Sequence, residues 1–428
     1  MFPIMLIYLV LVIVRPQDYP ALQDALPFPL QQAVLLLAAV AWLLSGRRLH
    51  GAPQNLLLLL FMSAMMLSVA INGWVGGIVP VLRDFTPVVL AYFLLGNAAF
   101  TRGRLRMAMA TFCLSAAVLA VHGIEQAKTG TGWTGMGLSQ GTRIQYVGIF
   151  SDPNDLGMLF VICVPMAFFL GSGGGLLRRL FWWTLAAVLV YGIWLTDSRG
   201  TMLALLTMFG IHVWLRRGVL VAGALGAMAL PALAAMPSRM QQLEVGEESA
   251  MDRVYSWYEG VQMFKGHPLL GVGKGAYLDL YQLTAHNSLV LVLAEMGIVG
   301  FTLWLAFMGY CFWMMWRVLC WRPRPELAGA PTADPVVLRE WLADRVIAQT
   351  LLLSLCGFSV CAFFLSRTYV IILYLLAALV VAHFAWMRRQ YPWLRDFKLG
   401  DHLLLWPLLS AAGAIGLYLV VRVLLAVA

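Results

Sequence analysis

Long apolar blocks separated by short polar segments make up almost the whole chain of 428 residues. Thirteen blocks can be delimited, at residues 2–14, 28–45, 55–72, 78–98, 107–124, 155–171, 180–196, 200–215, 218–236, 287–316, 346–365, 368–387 and 403–424. Most approach the roughly 20 residues that an α-helix needs to cross a bilayer. A transmembrane β-strand would instead show about ten residues of alternating polarity. The pattern therefore predicts an all-α polytopic membrane protein with about 12–13 transmembrane helices.

Composition and charge narrow the class further. Hydrophobic residues make up 61% of the chain and charged residues 11%, whereas soluble domains carry about a quarter charged residues. Several soluble domains are therefore excluded. The net charge of +9 could suggest a nucleic-acid partner, but the basic residues occur in small groups between apolar blocks and form no basic tail. Membrane lipids, and not nucleic acid, are the predicted surroundings.

The small basic groups also predict the orientation of the chain. With the N-terminus in the cytoplasm, most Lys and Arg residues fall in cytoplasmic loops, as the positive-inside rule requires. The same arrangement places the C-terminus outside. We therefore expect a multi-pass protein with a cytoplasmic N-terminus.

Two outer segments exceed simple turns, at about 125–154 and 237–286. The second should contain an amphipathic helix, which begins at Ser249 because this capping residue is followed three positions later by an acidic residue. The helix should end near Gly266, since a proline follows two residues later. The predicted division is an N-terminal transmembrane bundle over 1–236, an outer loop domain over 237–286 and a C-terminal transmembrane bundle over 287–428.

Lys and Arg residues on the predicted outer face are exceptions to the positive-inside rule, so each of them requires an explanation. Arg199 follows a tight turn between two apolar blocks, Arg143 precedes the block that begins at 155, and Arg253 and Lys274 flank the amphipathic helix. A solvated loop charge or a lipid-headgroup contact is the simpler alternative. For Arg199 the short turn favours a functional role, because a guanidinium near the membrane boundary suits a phosphorylated, membrane-embedded ligand.

His286 is the sharpest candidate among the seven histidines, because it lies at the outer mouth of an apolar block. An imidazole in such a place can act as a base near neutral pH. Asp152, Asp155 and Asp197 are scattered and form no acidic motif. The sequence therefore predicts a metal-independent site.

Four short stretches in the middle third of the chain, from about 143 to 300, carry a family resemblance. They are Gly148–Asn154, Leu195–Gly200, Gly266–Gly273 and the segment that begins at His286. In this order they resemble the bacterial O-antigen ligase and polymerase superfamily, the multi-spanning glycosyltransferases that act on undecaprenyl-diphosphate-linked glycans. Ligases of the superfamily are similar in having His, then Asn, Ser or Gln, nine residues, and G-x-x-G. Here His286 and Asn287 are followed by nine residues and by Gly297–Gly300.

The resemblance implies a reaction and a set of residue roles. An O-antigen ligase would transfer a glycan from the undecaprenyl-diphosphate-linked O-antigen donor to a hydroxyl of lipid A–core, at the periplasmic face of the bacterial inner membrane. His286 would accept the hydroxyl proton, and Arg199 would hold the diphosphate and stabilise it as a leaving group. Glycines in a span permit close helix approach, which would fix the helix whose first residue is His286. The candidate substrate-binding residues are Arg253, Arg143, Lys274, Asn154 and Asn287.

Three other functions stay open at this point. An O-antigen polymerase or a protein O-oligosaccharyltransferase would use the same lipid-linked donor and differ in the acceptor. A lipid-linked glycan flippase or transporter would line a path through the bilayer with charge, whereas the conspicuous charges of this chain gather on one face.

Overall fold

The computed structural model describes residues 1–23, 29–46, 49–235, 243–321 and 335–427, and most of these residues are helical. Each of the thirteen apolar blocks coincides, over most of its described residues, with a helix. The helices are α1 (Phe2–Ile13), α2 (Pro20–Gln23), α3 (Leu30–Leu44), α4 (Pro53–Ile71), α5 (Ile78–Ala98), α6 (Arg102–Thr129), α7 (Pro153–Gly171), α8 (Leu176–Leu195), α9 (Arg199–Arg217), α10 (Val219–Ala235), α11 (Leu243–Gly266), α12 (Tyr277–Leu280), α13 (Ser288–Cys320), α14 (Pro335–Phe363), α15 (Ile371–Gln390) and α16 (Leu405–Val427).

Within the described ranges, nine helices are long and apolar enough to cross a membrane: α4 to α8 and α13 to α16. The prediction of an all-α polytopic membrane protein is confirmed. The apolar helices α1, α3 and α10 have 12, 15 and 17 residues. Whether these three and α9 also span the bilayer stays a prediction.

Helix α7 is the centre of the bundle. Of the residues in its apolar stretch 89% are buried, against 17% for α16, and it packs against α6, α8 and α14. Close approach to α14 is fixed in part by Ser354, whose hydroxyl donates to the Ile162 carbonyl at 2.8 Å. The middle of the most deeply buried helix is therefore tied to α14.

Helix α13 is broken at Gly297, where φ is 59° and ψ is −164°. The loop that follows α11 supplies backbone partners at the break. The Ile298 amide donates to the Pro268 carbonyl at 2.9 Å, and the Val272 amide donates to the Ala294 carbonyl at 3.0 Å. The glycine thus permits close approach of a loop, and the predicted approach of another helix at this position is wrong.

Helix α4 clamps the loop and the break together. The Ser68 hydroxyl donates to the carbonyls of Leu270 at 2.6 Å and Glu295 at 2.9 Å. The Asn72 side-chain amide donates to the Gly271 carbonyl at 2.9 Å. Because buried carbonyls need donors, these two polar side chains satisfy the backbone of a non-helical segment inside the bundle.

Helix α11 is longer than predicted. It ends at Gly266 as expected, but it begins at Leu243, so the predicted start at Ser249 is wrong. The residues between these positions include Glu244, Glu247 and Glu248, which are good helix formers. The predicted boundary between 236 and 237 lies outside the described residues, and the three-part division stays a prediction.

Candidate functional site

The candidate residues come from segments that meet at one end of the bundle, the site end. Arg143 precedes α7, Arg199 begins α9, Arg253 lies on α11, and His286 precedes α13. The loop between α14 and α15 adds Arg367, whose guanidinium contacts Asp155 on α7. Alternating helix directions bring these loops to one surface.

Arg143 joins the end of α8 to the start of α7. Its Nε donates to the Thr196 carbonyl at 2.9 Å, and one terminal nitrogen donates to Asn154 Oδ1 at 3.0 Å. Asn154 Nδ2 in turn donates to Asp152 Oδ1 at 2.9 Å. Burial lowers the pKa of Arg143, while Asp152 raises it. Arg143 is thus a fixed cation bonded to two neutral oxygens.

Arg199 is the first residue of α9 and its side chain is exposed. The turn before it is sharp, because Asp197 has a φ of 47° and Ser198 caps the helix. Among the residues that the structure describes, none forms a hydrogen bond or an ion pair with the Arg199 guanidinium. The turn therefore presents an unpaired cation at the site end.

Arg253 is half-buried on α11. Burial lowers the pKa of its guanidinium, the positive charges of Arg143 and Arg199 lower it further, and Asp152 acts in the opposite direction. The described part of the chain gives it no ion-pair partner. Arg253 is therefore close enough to Arg143 and Arg199 for their charges to repel it, and an anion bound there would relieve that repulsion.

His286 lies just before α13 in a left-handed conformation, with φ of 46°. It is not the first residue of the helix as predicted, because Asn287 occupies the N-cap position between it and Ser288. Burial lowers the pKa of the half-buried imidazole, as does the charge of Arg253, while Asp152 raises it. A neutral imidazole beside the guanidiniums is free to accept a proton.

Asn287 has a structural position. It is fully buried, and its Oδ1 accepts from the amides of Leu289 at 2.8 Å and Val290 at 3.2 Å. Its Nδ2 has no hydrogen-bond partner among the described residues. The amide thus fixes the start of α13, and with it the backbone that carries His286.

Arg367 is a residue that sequence reasoning did not select. Two of its guanidinium nitrogens bond the two carboxylate oxygens of Asp155, and one lies 3.6 Å from Asp152 Oδ2. Its backbone amide donates to the Ser288 hydroxyl at 2.8 Å. Arg367 therefore ties the starts of α7 and α13 together. The sequence signal that could have identified Arg367 is its place as a lone cation in a short, predicted outer loop between two apolar blocks.

Lys274 lies apart from the three guanidiniums, beside an aromatic ring. Its ammonium is 5.5 Å from the centroid of the Tyr369 ring, and it does not contact the three guanidiniums. The structure brings together Arg143, Asn154, Arg199, Arg253 and His286. Lys274 borders that group through the loop that also carries Arg367.

The acidic side chains at the site are engaged by other side chains. In the described ranges no three His, Cys, Asp or Glu side chains are grouped as a metal site would need. Asp155 is occupied by Arg367, and Asp152 accepts from Asn154. A metal-independent reaction stays a prediction.

The sequence matches the model of a known protein family over part of its length. The family model described as O-antigen ligase matches residues 183–305. The matched range contains Arg199, Arg253, His286 and the break at Gly297. No curated protein matches the sequence.

Proposed function

From the membership of this chain in the O-antigen ligase superfamily, which the match over residues 183–305 supports, we propose that it is the ligase itself. In this proposal the enzyme transfers an O-antigen glycan from undecaprenyl diphosphate to a hydroxyl of the lipid A–core oligosaccharide. The reaction takes place at the periplasmic face of the bacterial inner membrane. The observation that carries the proposal is the group of three neighbouring guanidiniums beside a half-buried imidazole.

The guanidiniums suit the diphosphate of the donor. Arg199 and Arg253 have no carboxylate partner among the described residues, so their planar forks are available to phosphate oxygens. As the bond between the anomeric carbon and the diphosphate oxygen breaks, negative charge develops on the leaving group. Arginines already in position stabilise that charge. Arg143 contributes a third, more constrained cation.

The imidazole suits the acceptor. The oxygen of the acceptor hydroxyl attacks the anomeric carbon and gives its proton to the neutral His286. Direct attack inverts the configuration at that carbon. Arg367 acts as a positioning residue, because it joins the helix starts that carry Asn154 and His286. The diphosphate bond of the donor supplies the driving force, so no nucleotide cofactor is needed.

The test is glycan transfer by purified protein from undecaprenyl-diphosphate-linked glycan to lipid A–core. His286→Ala should lower the rate about 10²–10⁴-fold while donor binding is retained, because binding is assigned to the arginines. His267→Ala is the matched control, since His267 is an exposed histidine after α11. A His286→Ala rate close to wild type would refute the assignment of the base.

Arg199 tests the diphosphate contact. Arg199→Lys keeps the charge and loses the bidentate fork, so both donor binding and rate should fall severely. Lys128→Ala removes an exposed cation elsewhere and should leave both unchanged. Near-normal activity of the lysine variant would show that Arg199 contributes only a positive charge and no bidentate contact. Elongation of the glycan without transfer to lipid A–core would instead favour a polymerase.

A further inference from the structure

A second basic pocket lies at the end of the bundle opposite to the site end. Helix α15 starts two residues after Tyr369 and runs for 20 residues, or about 30 Å, so Arg388 and Arg389 lie at the far end. Helix α4 bonds the loop after α11 through Ser68 and Asn72 near its C-terminus. Its N-terminus, next to His50, is therefore also at the far end.

The far-end pocket has a volume of about 290 Å³ and is lined by His50, Gly51, Phe100, Ala385, Arg388 and Arg389. The His50 ring stacks on Phe100 with centroids 3.9 Å apart, and the Arg389 guanidinium lies 5.8 Å from the same ring. The three segments that form the far-end pocket are thus held by one aromatic side chain.

The charges of the far-end pocket are incompletely paired. Arg388 bonds Asp396 at 2.7 Å, but its Nε is buried and has no hydrogen-bond partner in the described part of the chain. Arg389 is exposed and has no carboxylate partner among those residues. His50 adds hydrogen-bonding capacity without charge, because burial and the charge of Arg389 lower its pKa. A small anion with several acceptor oxygens matches these donors.

The segment of chain that leads to His50 indicates the source of that anion. Leu49, next to His50, is 45% exposed, and Leu43 and Leu44 at the end of α3 are 68% and 84% exposed. Apolar surface this open suits hydrocarbon chains and not water. We propose that the far-end pocket binds the phosphate of an anionic phospholipid, with its acyl chains along the exposed leucines. The predicted topology puts this end at the cytoplasmic leaflet, where anionic headgroups meet basic pockets.

The experiment uses the full chain in phosphatidylcholine nanodiscs doped with phosphatidylglycerol. Retained phosphatidylglycerol is counted by native mass spectrometry, and thermal unfolding is followed in parallel. Arg389→Gln should weaken retention about fivefold, as expected for one lost cation near a membrane surface, and should reduce the lipid-dependent stabilisation in proportion. Arg395→Gln is the matched control, because Arg395 is an exposed arginine of the same end outside the far-end pocket.

Two results would overturn the proposal. Equal losses in Arg389→Gln and Arg395→Gln would mean diffuse attraction to the basic end and not a site. Equal stabilisation of the wild type by inorganic phosphate alone would mean a site for a free anion and not for a lipid. An intermediate loss in Arg389→Lys would support the assignment, because lysine keeps the charge but not the planar fork.

Discussion

Gly297→Ala should destabilise the protein strongly, although it adds a single methyl group. With φ of 59° and ψ of −164°, Gly297 occupies a region that is essentially restricted to glycine, and another residue there costs about 1–3 kcal/mol. The new Cβ would lie 2.5 Å from the carbonyl carbon and oxygen of Leu269 and 2.6 Å from the Leu270 nitrogen. These atoms are backbone, so they cannot move aside as a flexible side chain would.

Relief of this overlap requires the loop to leave the break in α13. That movement would break the bonds from Ile298 to Pro268 and from Val299 to Leu269, of 2.9 and 3.2 Å. At about 1 kcal/mol each, their loss brings the total to about 3–5 kcal/mol.

Thermal unfolding in detergent, followed by size-exclusion recovery, measures the effect of Gly297→Ala. Gly266→Ala is the matched control, because a Cβ at Gly266 meets no atom within 4 Å and its φ is not positive. The control should unfold at or slightly above the wild-type temperature, since alanine is the better helix former. A Gly297→Ala protein as stable as the control would refute the packing of the loop into the break.

Three further predictions concern the site end and the topology. The charge of Arg253 lowers the pKa of His286, so Arg253→Gln should raise that pKa and move the acid limb of the pH profile of the transfer rate to higher pH. An acid limb at an unchanged pH would show that the charge of Arg253 does not act on His286. Arg367→Ala leaves the buried carboxylate of Asp155 without its cation and should lower the free energy of unfolding by about 3–5 kcal/mol. The double variant Arg367→Met with Asp155→Leu should recover most of that loss in unfolding measurements. A single cysteine at the exposed Thr131 should react with an impermeant maleimide from outside intact spheroplasts, and labelling only after lysis would reverse the orientation.

The helices could be predicted from the sequence because the bilayer simplifies the problem. A spanning segment must satisfy its backbone internally, so apolar length alone indicates a helix. Most described residues of every block are helical. The end of α11 was equally accessible, since Pro268 stops a helix. Its start at Leu243 was not, because a capping signal at Ser249 marks one of several possible starts when the preceding residues also favour a helix.

The site could be predicted in part. Alternating short loops place Arg199, Arg253 and His286 on one face whatever the details of packing, and the structure brings them together. The role of Arg367 was out of reach, because its partner Asp155 is 212 residues away in the chain. Polar pairs of such separation leave no periodic signal, and helix packing alone decides which of them meet.

The glycines show why a motif can identify a family and still hide its physical basis. The spacing from His286 to Gly297 suggests helix-to-helix contact, yet the atoms that approach Gly297 belong to the loop after α11. The same loop brings Gly271 against the backbone of Glu295, where a Cβ would lie 2.3 Å from the carbonyl carbon. Two glycines, one on each segment, thus permit a single backbone contact, and neither can change alone. The Gly266–Gly273 stretch and the part of α13 around its break are therefore one structural unit, joined backbone to backbone over residues 294–299.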